Sequence, residues 1–188
     1  ACQSVGQMPI DVDEIGCDML SATGRKYLRG PRGVGFLYVR KSIIRKLRPP
    51  IIDLRSADWL NSNEYKLKED AQRFESWESN YAAVLGLGSA VDYALNLGLN
   101  NIQLRNTELA SYLRTCLKKI DTVHIHAISD RQCAITSFYV QDQTASNIVN
   151  ELRKNNINTS VSDPSSTLLD ANKNKLPSLI RASVHYYN

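Results

Sequence analysis

Lys26 is the residue of this chain best placed for covalent chemistry. It closes the run Thr23-Gly24-Arg25-Lys26, in a glycine-punctuated loop between two apolar stretches, residues 18–22 and 34–39, that read as buried strands. Thr23 offers a hydroxyl and Gly24 an unhindered backbone amide to an anion such as phosphate, while Arg25 puts fixed positive charge beside the amine. An amine crowded by cations gives up its proton more readily, and a neutral amine attacks carbonyls. Position and charge alone leave the ordinary reading ahead, since a lysine in a basic loop is usually just solvated. Arg181 is the second candidate. Leu179-Ile180-Arg181-Ala182 sets a guanidinium among apolar neighbours on a strand, where it requires an anion.

These side chains depend on the elements that carry them. Residues 11–16 read as a short helix closed by a glycine, and residues 41–47 as a second one ended by Pro49-Pro50. Residues 51–71 are polar and irregular and read as a long loop. The clearest helix spans 81–97, apolar at 84, 85, 87, 91, 94 and 95, with Gly98 as its stop. Another helix is predicted over 100–120, with Leu104, Leu109, Leu113 and Leu117 on one face. Strands at 123–128, 134–140, 158–161 and 179–187, with a helix at 144–155, suggest an α+β module packing a helix on an antiparallel sheet.

Composition and motifs remove several function classes. The 188 residues, 43% hydrophobic with a net charge of +4, suit one large domain or two small ones. No segment approaches a membrane span, and nothing at the start reads as a secretory leader. Four cysteines without CxxC pairs or metal spacing favour a reduced compartment. Between residues 25 and 48 there are nine lysines and arginines and no acid. An apolar strand splits that charge, so a nucleic-acid surface is the weaker reading. Gly30, Gly33 and Gly35 depart from the dinucleotide spacing and precede a strand instead of a helix. His124 and His126 share a strand face but lack a third ligand. Ser89 sits inside a helix and has no nucleophile elbow. Asp13 and Glu14 suit the first turn of a helix better than acid-base work.

The run from Thr23 to Lys26, followed by Leu28-Arg29-Gly30-Pro31-Arg32-Gly33 and Gly35-Phe36-Leu37-Tyr38-Val39, resembles the cofactor-lysine segment of the class V aminotransferase family. These are pyridoxal-phosphate enzymes of fold type I, and they include the cysteine desulfurases. The resemblance covers essentially the whole chain, weakly over 51–71. It implies an α/β fold, with residues 1–98 as the C-terminal part of the large cofactor domain plus a connecting helix. Residues 99–188 would be a small α+β domain without its last helix. It further implies that Lys26 forms the internal aldimine and later moves the substrate's α-proton. By the same resemblance Gln3 meets the ring hydroxyl, Thr23 and Arg25 help hold the phosphate, and Arg181 grips the substrate carboxylate.

Departures from the family pattern shape the remaining expectations. The family's aspartate for the pyridinium nitrogen would stand immediately before Ala1, and its ring-stacking aromatic further upstream. The chain is therefore expected to be the second half of an enzyme, inactive alone. Residues 72–80 resemble the stretch that crosses the dimer interface, with Glu78 where desulfurases usually carry a phosphate-binding threonine. Its charge opposes a phosphate there, which leaves Trp77 and Asn80 to serve the interface. Residues 158–167 occupy the place of the desulfurase loop that delivers a nucleophilic cysteine, and they contain none. The expected activity is therefore aminotransferase, carbon-sulfur lyase or epimerase-like chemistry on a small amino acid, and not persulfide-forming desulfuration. A cytoplasmic homodimer binding neither nucleic acid nor membrane completes the reading. The alternative from another class is a non-catalytic basic module that binds nucleic acid.

Overall fold

In the computed structural model, which describes residues 1–188 except 128, 130 and 131, the chain divides into two compact units, Ala1–Asn100 and Asn101–Asn188. In the first, the Asp11 carboxylate accepts from the Asp13 and Glu14 amides at 2.8 and 3.1 Å, and so starts α1 (Val12–Ile15). Gly16 ends that turn in the left-handed conformation. Next come β1 (Met19–Thr23) and β2 (Gly35–Val39), an antiparallel hairpin in register from Met19↔Val39 to Thr23↔Gly35. Arg40, just after β2, donates to the Asp13 carboxylate at 2.7 Å and to the Val12 and Cys17 carbonyls, which ties α1 to the hairpin.

Both strands form where the apolar runs predict, but the expected burial does not follow. Only Leu20, Ala22 and Val39 are buried, while Phe36 and Leu37 are 41% and 44% exposed. Apolarity states what a residue would bury; an opposing surface decides whether it does. The helix expected over 41–47 is a single turn, α2 (Lys41–Ile44), with no side-chain cap at Arg40. Four cations between 41 and 48, with no acid among them, give a longer helix no pairing to offset their repulsion.

The predicted long loop holds structure instead. β3 (Ala57–Asn61) and β4 (Glu64–Leu67) form a second antiparallel hairpin, with Trp59 opposite Tyr65. The Asn61 side chain accepts from the Asn63 amide at 3.0 Å and shapes its turn. Asp53 anchors the following stretch, because its carboxylate accepts from the Trp77 amide at 2.7 Å and the Arg55 amide at 2.8 Å. These bonds, the Trp77 one foremost, hold the Asp53 carboxyl below its ordinary range. Its contribution is therefore present above the unfolded carboxylate value of about 3.9 and is lost as pH falls through the lower folded value. Asp53→Ala should leave the acid side of the thermal-melting profile flatter than wild type below about pH 4. Parallel profiles for the two proteins would show that the cap carries no pH-dependent stability.

α3 (Tyr81–Leu97) runs as predicted, capped by Asn80, whose side chain accepts from the Ala83 amide at 3.0 Å, and stopped at Gly98. α4 (Leu99–Leu117) follows. Its buried positions are Ile102, Asn106 and Ala110, whereas Leu104, expected on the apolar face, is 71% exposed. No single helix among the described residues is long and apolar enough to cross a membrane.

The second unit is a four-stranded antiparallel sheet in the order β5-β6-β8-β7, formed by β5 (Val123–His126), β6 (Ile135–Val140), β7 (Ser160–Ser162) and β8 (Leu179–Ser183). The strand expected over 123–128 ends at His126, and Ile128 lies outside the described residues. α5 (Ala145–Lys154) packs on the sheet, so Ala145 and Val149 meet Phe138 and Ile180, with Leu117, Val123 and Ile125 around them. A 3-10 turn over Pro164–Thr167 ends the stretch expected as a loop, and α6 (Leu168–Asn174), not predicted from the sequence, follows it. Asp163 caps that turn through the Ser165 amide and hydroxyl, a cap-and-proline signal that the serine- and threonine-rich composition masks.

Candidate active site

The β1–β2 hairpin presents Thr23 at the end of β1 and Arg25 and Lys26 in the loop beyond it. Lys26 is half-buried and Arg25 exposed. The loop is closed twice at its base: the Gly24 amide donates to the Val34 carbonyl, and the Gly30 amide donates to the Gly24 carbonyl, both at 2.8 Å. The Gly24 amide is thus taken by the hairpin, which corrects the expectation that it serves an anion. The loop packs closely there, since a β-carbon at Gly24 would meet the Leu87 Cδ1 of α3 at 2.8 Å and the Val34 carbonyl oxygen at 3.2 Å.

Gln3 comes to the same place by a different route. The Ala1 nitrogen donates to the Ser21 carbonyl of β1 at 2.7 Å, and the Gln7 side chain donates to the Gln3 carbonyl at 2.8 Å. Gly6, with φ of 82°, lies so close to the lysine loop that a β-carbon would meet the Leu28 amide nitrogen at 2.6 Å. The segment carrying Gln3 is therefore packed on the backbone that follows Lys26, and Tyr27 and Leu28 are buried beneath it. Gln3, Thr23, Arg25 and Lys26 belong to one neighbourhood of the first unit.

This donor set fits a phosphate-bearing aldehyde: a primary amine on a loop braced from both sides, a hydroxyl and a guanidinium next to it in sequence, and a carboxamide on the packed segment. Gly6 was not singled out by sequence. Its signal, a glycine three residues beyond Gln3, is too common to be read without the contact.

Arg181 belongs to the second unit. It alternates with the core residue Ile180, so it lies on the sheet face opposite Phe138, Ala145 and Val149. Along β8 it pairs with Ser137 on β6 and Ser160 on β7, and Ser137 pairs in turn with His126 on β5. The guanidinium is half-buried, and its Nε is sealed from solvent without a hydrogen-bond partner among the described residues. His126 lies 3.4 Å from the Asp170 carboxylate, while His124 stacks on Tyr139. Among the described residues no three His, Cys, Asp or Glu side chains come together as a metal site.

The family model described as aminotransferase class-V matches residues 1–188. The chain belongs to that family. It is an enzyme family dependent on pyridoxal phosphate, and the fold is the mixed α/β fold of type I. A probable cysteine desulfurase of Methanothermobacter thermautotrophicus is 27% identical over the whole of this chain and 48% of its own length. Another from Synechocystis is 30% identical over 100% of this chain and 45% of its own length.

Among solved structures, the apo cysteine desulfurase of Thermococcus onnurineus superposes with a TM-score of 0.93 at 26% identity, covering all of this chain and 47% of that one. The cystine C-S lyase C-DES, in complex with its reaction product cysteine persulfide, gives 0.82 at 27% identity, covering 98% and 46%. A variant of C-DES carries glycine covalently linked to the pyridoxal-phosphate cofactor. The chain spans about half the length of the relatives it matches.

These relatives overturn the expectation against persulfide-forming desulfuration, and membership of an enzyme family sets aside the non-catalytic alternative. That expectation rested on the absence of cysteine from residues 158–167. Its flaw is chemical. A thiol outside those residues, or one supplied by a second molecule, can take the sulfur, and cysteine persulfide is the reaction product bound to C-DES.

Proposed function

We propose that this chain is the C-terminal part of a pyridoxal-phosphate-dependent, cysteine desulfurase-like enzyme that removes sulfur from cysteine or a closely related amino acid. The observation that carries the reading is the seating of Lys26, half-buried on a loop braced between the Gly6 segment and Leu87. When bound, the cofactor serves as the electron sink for the substrate's α-carbon. Lys26 holds the cofactor through its Nζ and, once released, takes the proton from that carbon. Thr23 and Arg25 hold the phosphate, and Gln3 donates to the ring hydroxyl. Arg181 fixes the substrate carboxylate with two parallel hydrogen bonds.

Residues 1–98 are read as the end of the large domain and 99–188 as the small one. A cytoplasmic homodimer is part of the same proposal. Its support is four free cysteines and, on the stretch assigned to the interface, a Trp77 that is 56% exposed.

The test is full-length protein loaded with pyridoxal phosphate and supplied with cysteine and a thiol reductant. Alanine and sulfide in equal amounts are expected. A ketoacid produced from cysteine without sulfide would mean that the enzyme is not desulfurase-like.

A further inference from the structure

Three residues beyond Lys26, the backbone of Arg29 turns left-handed, with φ of 62°. A β-carbon disfavours that region, and glycine normally occupies it. Two bonds depend on the turn. The Arg29 amide donates to the Lys26 carbonyl at 2.8 Å, and the next residue, Gly30, donates to the Gly24 carbonyl at the same distance. Lys26 is enclosed by this pair.

A side chain in a strained conformation persists where its surroundings hold it. Here they do, because the Arg29 guanidinium carbon lies 5.3 Å from the centroid of the Tyr93 ring on α3. The rest of the loop sits on the same stretch of α3. Leu87 Cδ1 fills the space beside Gly24 and Gly30, and the Pro31 ring sits where a β-carbon on Gly86 would be, 2.8 Å from Cγ. Gly86 and Tyr93 are seven residues apart, two helical turns along one face. The helix is the floor of the lysine loop, and Tyr93 is the part of that floor that touches a charge.

We propose that Arg29 and Tyr93 are positioning residues for Lys26: the guanidinium-ring contact holds the left-handed turn closed, and the closed turn sets the direction of the lysine amine. This rests on the reading of Lys26 as the cofactor lysine. Tyr93 makes the better test, because replacing it leaves every formal charge near Lys26 in place. Tyr93→Leu removes the ring and Tyr93→Phe keeps it.

In the full-length apo protein, hydrogen exchange read on peptides covering residues 24–31 should rise roughly two- to fivefold in Tyr93→Leu, the factor expected of a half-exposed cation-ring contact. The rise should be confined to those peptides. Titration with added pyridoxal phosphate, followed by absorbance, should show affinity falling by a similar factor. Tyr93→Phe should match wild type in both measurements. Wild-type behaviour of Tyr93→Leu in both, loosening spread over the whole first unit, or equal effects of the two variants would overturn the proposal. Lys26→Ala measured in parallel separates the two levels. Loss of covalent cofactor there with an unchanged Tyr93→Leu condemns only the clamp, whereas a retained covalent cofactor condemns the lysine assignment and the clamp's purpose with it.

Discussion

Lys26→Ala in the full-length protein is expected to abolish covalent cofactor attachment, so that borohydride treatment fixes nothing on the peptide containing residue 26. Turnover should fall by at least about 10²- to 10⁴-fold, the usual contribution of a positioned acid-base group, because the same Nζ is both the seat of the cofactor and the base for the α-proton. Lys26→Arg is the informative companion. It keeps the positive charge in a half-buried loop, but its guanidinium cannot lose a proton in the working range. Equal failure of both variants identifies the amine's chemistry as the requirement. Survival of Lys26→Arg would reduce residue 26 to an electrostatic role, and a covalent cofactor in Lys26→Ala would move the attachment to another lysine.

Arg181→Lys should weaken binding of an amino-acid substrate by roughly tenfold to a hundredfold, the equivalent of one charge-assisted hydrogen bond of about 1.5 to 3 kcal/mol. The charge is kept and the geometry is lost, since an ammonium makes a point contact where the guanidinium makes two parallel bonds. The half-buried setting sharpens the expectation: Arg181 lies between Ser137 and Ser160 in the sheet, with its Nε sealed and unpartnered among the described residues. The measurement is a spectral titration of loaded full-length protein with cysteine, beside the same titration with cysteamine, which lacks the carboxylate. Loss for cysteine alone is expected. Equal loss for both, or loss of the cofactor band without substrate, would show that Arg181 supports the sheet and that the carboxylate is held elsewhere.

Much of the framework that carries the candidate site is legible in the sequence. Two apolar runs around a glycine-rich basic loop are enough for a hairpin that presents Lys26, and a guanidinium among Leu179, Ile180 and Ala182 is enough to mark Arg181. Two helix ends were legible for the same reason, since Gly16 and Gly98 act on their own backbone within a turn. Hidden structure lay where local signals conflict. The β3–β4 hairpin is rich in Asn, Asp, Ser and Lys, residues that also make loops, and its Trp59–Tyr65 pairing shows only once the two strands meet.

Local periodicity and charge thus determined most of the strands and helices and marked Lys26 and Arg181 as candidates, because those signals act between residues a few positions apart. Contact between distant segments decided the rest. Only the tertiary structure shows that the Gly24 amide belongs to Val34 and not to an anion, that Gly6 presses the Gln3 segment onto the backbone after Lys26, and that Leu87 and Tyr93, dozens of residues further on, form the floor of the lysine loop. Each of these depends on close approach between surfaces remote in sequence, a property that no run of residues carries by itself.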